Sequence, residues 1–206
     1  MALAATPLLV SNLIALAVVD SQEDLGAGRW EGSNWTVQNN LDITVAASTS
    51  HTVDVAFAGT TGVAIIGYSD GDNDTMVDWA RSVTGGAFSI QADYDPGGSP
   101  SRGEAIVNLT ADASSSKLML LRSHTGANPY LRAHVYNEAT QSWSTPTGDP
   151  IETSLSGEDL YESFAFAWES VFNIPTLGVT LTVVVISSFI AIMIKRRVIL
   201  LKPSPA

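Results

Sequence analysis

Apolar and polar residues alternate in short stretches along the first 170 residues of the chain. Thr52–Phe57 and Glu104–Leu109 are clear examples, with apolar residues at every second position. A period of two places apolar side chains on one face of a β-strand, and no stretch before residue 171 sustains a helical period. The pattern predicts an all-β region, in which Glu162–Trp168 is a further strand.

The strands belong to a unit that occurs three times. An apolar strand, a polar turn and an aromatic strand lead each time to an aromatic residue followed by a hydroxyl residue. These pairs lie 53 and 55 residues apart and are Trp35-Thr36, Phe88-Ser89 and Trp143-Ser144. Turns are predicted at Gly59–Gly62 and Asp112–Ser116. The repeat predicts units of about four strands at 12–61, 62–115 and 116–169, the first without its opening strand.

Four strands in about 50 residues are typical of a β-propeller blade. Over residues 12–168, the pattern that ends in Gly/Ser/Asn-Trp-Ser/Thr resembles blades of kelch-like and sialidase-like propellers in microbial, including archaeal, cell-surface proteins. The resemblance implies a propeller-like fold but no activity. Ser69–Trp79 lacks the spacing of the sialidase Asp-box, and the arginines before residue 133 match no sialidase motif.

Two architectures remain open. Three units are fewer than the four to eight blades with which a propeller usually closes. Glu162–Trp168 can close the array, copies of the chain can associate, or the chain can be part of a longer repeat protein. The alternative is an immunoglobulin-like β-sandwich, which needs no repeat.

The segment Val171–Ile194 has no charged residue and ends at the basic cluster Lys195–Arg197. After its proline it is about 28 Å long as a helix, enough to cross a bilayer. The positive-inside rule leaves residues 195–206 in the cytoplasm and residues 1–170 outside. We therefore expect a single-pass membrane protein anchored in the lipid bilayer.

The first 20 residues support two interpretations. The apolar run Pro7–Val19 resembles a signal peptide, but no lysine or arginine precedes it. The alternative is a β-strand of the first unit.

The chain carries 21 acidic and 10 basic residues, a net charge of −11, and no cysteine. An acidic outer domain repels nucleic acid, so we expect no nucleic-acid partner. Without disulfides, the domain must be held together by packing alone.

The densest group of carboxylates is Asp70, Asp72, Asp74 and Asp78, in a predicted hairpin turn. Alternating carboxylates can bind Ca²⁺, although the EF-hand pattern is not met, and a solvated turn is the alternative. His51, His124 and His134 lack zinc-site spacing. No nucleophile elbow or phosphate loop is present, so we expect no enzyme activity.

Three N-glycosylation sequons fit an extracellular domain and begin at Asn34, Asn73 and Asn108. Seven aromatic residues in the repeats either line a sugar-binding face or pack between units: Trp30, Trp35, Trp79, Trp143, Tyr68, Tyr130 and Tyr136.

Together these features predict a non-enzymatic, membrane-anchored cell-surface protein for adhesion, ligand binding or envelope structure. Its surface ligand is a glycan or a protein. The alternatives are a fragment of a propeller-type glycosidase, and a structural subunit that acts as a homo-oligomer.

Overall fold

The computed structural model describes residues 1–5, 12–45, 52–69, 77–95, 104–124 and 130–153. This part of the chain contains twelve β-strands in three four-stranded antiparallel sheets, and one 3₁₀ turn, Gly59–Thr61. The predicted all-β fold with three four-stranded units is confirmed, and it is consistent with a propeller-like arrangement. Within these residues, no helix is both long enough and apolar enough to cross a bilayer. The predicted strand Glu162–Trp168, membrane helix and basic tail lie outside them.

The first sheet takes its strands in chain order: β1 (Ala2–Ala5), β2 (Leu13–Val19), β3 (Leu25–Glu31) and β4 (Trp35–Asp42). The expectation that the first unit lacks its opening strand is wrong, because β1 pairs with β2 from Ala2↔Ala17 to Ala5↔Ile14. The pattern missed β1 because its residues are all apolar, so they give no period-two signal.

The second and third sheets repeat this order. The second contains β5 (Val53–Phe57), β6 (Ala64–Tyr68), β7 (Asp78–Ser82) and β8 (Ser89–Ile90). The third contains β9 (Glu104–Ala111), β10 (Lys117–His124), β11 (Leu131–Asn137) and β12 (Ser142–Ser144). Both predicted turns join the first two strands of a sheet. Each of these two sheets begins with a strand that the predicted units place at the end of the preceding unit.

The second sheet packs between the other two. In β5 and β6, Val55 and Ile66 belong to the apolar cluster shared with the first sheet, whereas Ala56 and Ile65 belong to the cluster shared with the third. All five residues of β6 are buried. A strand that is covered on both faces is apolar throughout, which accounts for the run Ala64–Tyr68.

The opening strands of neighbouring sheets lie against one another. β5 contacts β1 on one side and β9 on the other. The same strand of each unit therefore meets its counterpart at both interfaces, as in an array of repeated units.

Candidate functional site

The face of the first sheet that points away from the second sheet is apolar and open. In β2, Ala15 and Ala17 are fully buried in the cluster shared with the second sheet, so Leu16 and Val18 point to the opposite face. Leu3 of β1 pairs with Leu16 and therefore shares that face. Its side chain is 64% exposed. Alternation along the strands thus places a row of apolar side chains where no other described sheet covers them.

A groove of about 450 Å³ runs along this face. Its floor and one wall are formed by Leu16, Val18, Gly26, Gly28, Trp35 and Val37. Its polar rim is formed by Asp20, Asp24, Gln38, Asn39 and Asn40. We call this feature the outer groove. Its volume is in the range of small-ligand sites, as is its combination of an apolar floor with a few polar groups.

Trp35 is the main side chain of the outer groove. Its ring lies across Gly28, where an added Cβ would be 3.3 Å from a ring carbon of Trp35. The absence of a side chain at Gly28 therefore lets the indole rest on the backbone of β3. Trp30 supports it from the opposite position, with 5.8 Å between ring centroids. Trp35 is nevertheless 45% exposed and is available for contact.

The rim supplies hydrogen-bond acceptors. The Asp20 carboxylate accepts from the backbone N–H of Gln22 at 2.8 Å and of Asp24 at 3.1 Å, which orders the β2–β3 turn. The carboxylate-bearing residue Asp24 also lines the groove on this side. A partner that combines an apolar face with hydrogen-bond donors would complement both the apolar floor and the polar rim of the groove.

A buried arginine joins the first sheet to the second. The guanidinium of Arg29, which is fully buried, donates to the carbonyl of Gly62 at 2.8 Å and to that of Ser82 at 3.1 Å. It also pairs with Glu31 at 2.8 Å. Glu31 in turn accepts from the backbone N–H of Gly85 at 2.6 Å. That hydrogen bond, with the contribution of Arg29, lowers the pKa of Glu31 despite the opposing effect of burial.

A second arginine joins the second sheet to the third. Arg81 in β7 forms an ion pair with Glu138, at the end of β11, and the Tyr136 hydroxyl donates to Glu138 at 2.9 Å. Burial, followed by the hydrogen bond to Glu138, raises the pKa of Tyr136. Trp79, Tyr136 and Trp143 pack together beside the pair, with ring centroids 5.0–5.7 Å apart. These aromatics pack between units and do not form an open face.

The predicted calcium ligands are only partly described. Asp70, Asp72 and Asp74 lie outside the described residues. Asp78 lies in β7, not in a turn; it is 5% exposed and pairs in register with Tyr68. Within the described ranges, no three His, Asp or Glu side chains come together in a way that could hold a metal ion. The calcium site stays a prediction.

The predicted glycosylation sites differ in how exposed they are to solvent. Asn34 is exposed in the β3–β4 turn, Asn108 is half-buried in β9, and Asn73 lies outside the described residues. Modification at all three sequons stays a prediction. His134 is fully buried and accepts a hydrogen bond from Arg122 Nε at 2.9 Å.

Comparison with known proteins adds little to this description. No protein-family model matches the chain, and no curated protein matches it. Among solved structures, it is similar to a crystal structure of a triple arginine-to-alanine mutant of AofleA from Arthrobotrys oligospora. The TM-score is 0.45 and the identity 17%, over 73% of this chain and 42% of that chain. The chain thus covers less than half of that chain's length, and a likeness of this degree does not identify a ligand.

Proposed function

We propose that the chain is a non-enzymatic cell-surface protein that binds a partner through the outer groove, in adhesion or envelope assembly. The observation that carries the proposal is Trp35, which is 45% exposed in a groove of about 450 Å³. Exposed aromatic residues beside an apolar groove are typical of recognition surfaces, because they bury a large area at a small entropic cost.

The chemistry of the groove limits the partner. The apolar floor favours an apolar surface, and the rim favours hydrogen-bond donors, because Asp20 and Asp24 supply carboxylate acceptors. A glycan meets both requirements, and so does a protein surface that combines apolar side chains with polar hydrogens. An anionic partner would be repelled by the rim and by the net charge of −11.

Location at the cell surface is part of the proposal and is supported by the sequence. The uncharged segment Val171–Ile194 and the basic residues that follow it predict a membrane anchor with residues 1–170 outside. In this arrangement, the outer groove would lie outside the cell.

The test uses lipid vesicles that carry the full chain, with adhesion measured on a glycan microarray, on a protein microarray and between vesicles. The control for Trp35→Ser is Ile90→Ser, because Ile90 in β8 is also 45% exposed and lies outside the groove. We expect Trp35→Ser to weaken adhesion by about tenfold or more and Ile90→Ser to leave it unchanged. Wild-type vesicles that adhere to none of these surfaces would refute the proposal, as would equal effects of the two substitutions.

A further inference from the structure

We propose that the partner of the outer groove is an extended segment of another protein, with apolar side chains at two alternate positions and a lysine or arginine at the next alternate position. This inference rests on the proposed function and specifies its partner. It follows from the shape of the groove, from the order of apolar and acidic groups along it, and from its charge.

Glycines give the outer groove its depth. In β3, Gly26 and Gly28 pair with Val18 and Leu16 of β2, and Gly28 pairs with Val37 of β4 on its other side. Directly opposed residues share a sheet face, so apolar side chains rise on both sides of residues that have none. The flanking strands β2 and β4 are two strand spacings apart, about 10 Å. A trench of this width admits one row of side chains, such as every second residue of an extended segment.

The groove changes from apolar to acidic along its length. Leu16, Val18 and Asp20 occupy alternate positions along β2 and the start of the turn that follows it, so they point to the same face. Asp24 reaches this face from the other side of the turn, because it lies two residues before Gly26. The backbone N–H of Asp20 donates to the carbonyl of Asp24 at 3.1 Å, so the two residues lie opposite each other. One end of the groove therefore carries both carboxylates.

The distance between the two ends sets the spacing in the partner. At the apolar end, the ring of Trp35 lies over Gly28. Gly28 and Asp24 are four residues apart, which corresponds to about 13 Å of extended chain. A partner segment that lies along the groove spans this distance in four residues as well. Since four is an even number, its apolar residue at Trp35 and its basic residue at the aspartates point to the same side, and the residue midway between them lies over Gly26.

The acidic end favours a cation. Of the described residues that line the groove, two are acidic and none is basic. Asp20 and Asp24 face each other across the turn, and like charges that are directly opposed destabilise a sheet. Among the described residues, both hydrogen bonds to the Asp20 carboxylate end on Oδ1, which leaves Oδ2 to accept from a ligand. A lysine or arginine would relieve the repulsion between the carboxylates, and the net charge of −11 would speed its approach. A neutral glycan would do neither.

The test is an array of terminally blocked peptides, probed with lipid vesicles that carry the full chain. The first set has the order apolar-x-apolar-x-basic, in either chain direction. The second set has glutamine in place of the basic residue. The third set moves the basic residue one position closer, which turns its side chain to the opposite side of an extended peptide. We expect the first set to bind about threefold or more above both controls, and salt to reduce the difference. Equal binding to the three sets would overturn the inference, as would no binding to any of them.

Substitutions in the chain locate the peptide in the groove. Gly26→Val fills the floor, where an added Cβ meets no atom closer than 3.7 Å, so the strand should form normally while the peptide is excluded. Asp24→Asn should weaken binding of the first set by about threefold or more. Its matched control is Glu23→Gln, which removes an equal charge from the same turn at a position that does not line the groove. Equal losses in Asp24→Asn and Glu23→Gln would reveal a general attraction of cations to an acidic chain and would refute the site, as would unchanged binding in Gly26→Val.

Trp35→Ser separates this inference from the proposed function. If the chain binds a glycan or a protein in a way that depends on Trp35 but does not distinguish the three peptide sets, the proposed function stands and only the basic segment is refuted. A chain that binds no glycan, no protein and no peptide refutes both.

Discussion

Arg81 and Glu138 connect two sheets although they are 57 residues apart in the chain. Arg81 Nε donates to Glu138 Oε2 at 3.1 Å, and a second contact joins the guanidinium to the other carboxylate oxygen. The side chains are 19% and 8% exposed, so the pair is largely shielded from water. Its two members depend on each other, since either one alone would be a poorly solvated charge.

Replacement of Arg81 should therefore destabilise the domain. Arg81→Met leaves the Glu138 carboxylate buried without its cation, and we expect a loss of about 3 kcal/mol in the free energy of unfolding. Urea unfolding followed by tryptophan fluorescence measures this loss. The double variant Arg81→Met/Glu138→Gln removes both charges and should be more stable than Arg81→Met alone. A double variant whose loss equals the sum of the two single losses would show that the pair is not coupled.

Acid should weaken the polar contact between the first and second sheets, because Glu31 becomes protonated. The hydrogen bond from Gly85 and the ion pair with Arg29 hold the pKa of Glu31 below its ordinary value of 4.5. The charged form is thus favoured in the folded state. This stabilisation is present above pH 4.5 and is lost as the pH falls through the lower pKa of the folded protein.

The measurement is the urea midpoint from neutral pH down to about pH 3, a range that brackets the ordinary glutamate pKa. Glu31→Gln cannot titrate at this position, so its midpoint should fall less steeply with acid than that of the wild type. The pKa of Asp112 is also lowered, by hydrogen bonds from Ser114 and Ser115, so part of the pH dependence should persist in the variant. Identical pH profiles for the two proteins would contradict the assignment to Glu31.

Gly59 should tolerate no side chain. Its φ is +48°, and an added Cβ would lie 1.5 Å from the backbone oxygen of Ser115 in the β9–β10 turn. Gly59→Ala must force two backbone segments apart, and we expect a loss of more than about 3 kcal/mol. Gly32 is the matched control, because its φ is +87° and nothing lies within 4 Å of its added Cβ. Gly32→Ala should cost only about 1 kcal/mol, from backbone strain alone. Similar losses in the two variants would mean that the contact with Ser115 is unimportant.

The calcium prediction can be tested independently of the structure. If Asp70, Asp72 and Asp74 bind Ca²⁺, the ion should raise the melting temperature of the wild type, and Asp72→Asn should reduce that increase. Differential scanning fluorimetry in calcium and in chelator gives the comparison. A melting temperature that does not respond to calcium in either protein would exclude the site.

Much of the fold could be predicted from the periodicity of apolar residues. The alternating stretch Thr52–Phe57 became β5, Glu104–Leu109 became part of β9, and the predicted turns lie between paired strands. The strand β1 could not be predicted, because its four apolar residues carry no alternation and resemble part of a leader sequence. Its place is set by pairing with β2, which is a tertiary contact.

Far less of the candidate site could be predicted from the sequence. The sequence identifies both Trp35 and Trp143 as aromatic residues of the repeat. It does not predict that the ring of Trp35 is exposed whereas Trp143 is only 8% exposed. The difference depends on which sheet has a neighbour, and local pattern does not contain that information. The carbonyl partners of Arg29 are likewise 33 and 53 residues away, at positions where any residue type offers the same backbone oxygen.

The central position of the second sheet has a consequence for how the domain unfolds. Val55 and Ala56 are consecutive in β5 but belong to different apolar clusters, so displacing this strand exposes both clusters together. Although repeated units can in principle melt one at a time, here the middle unit belongs to both interfaces. The three sheets should therefore lose their structure in one cooperative transition, with equal calorimetric and van't Hoff enthalpies.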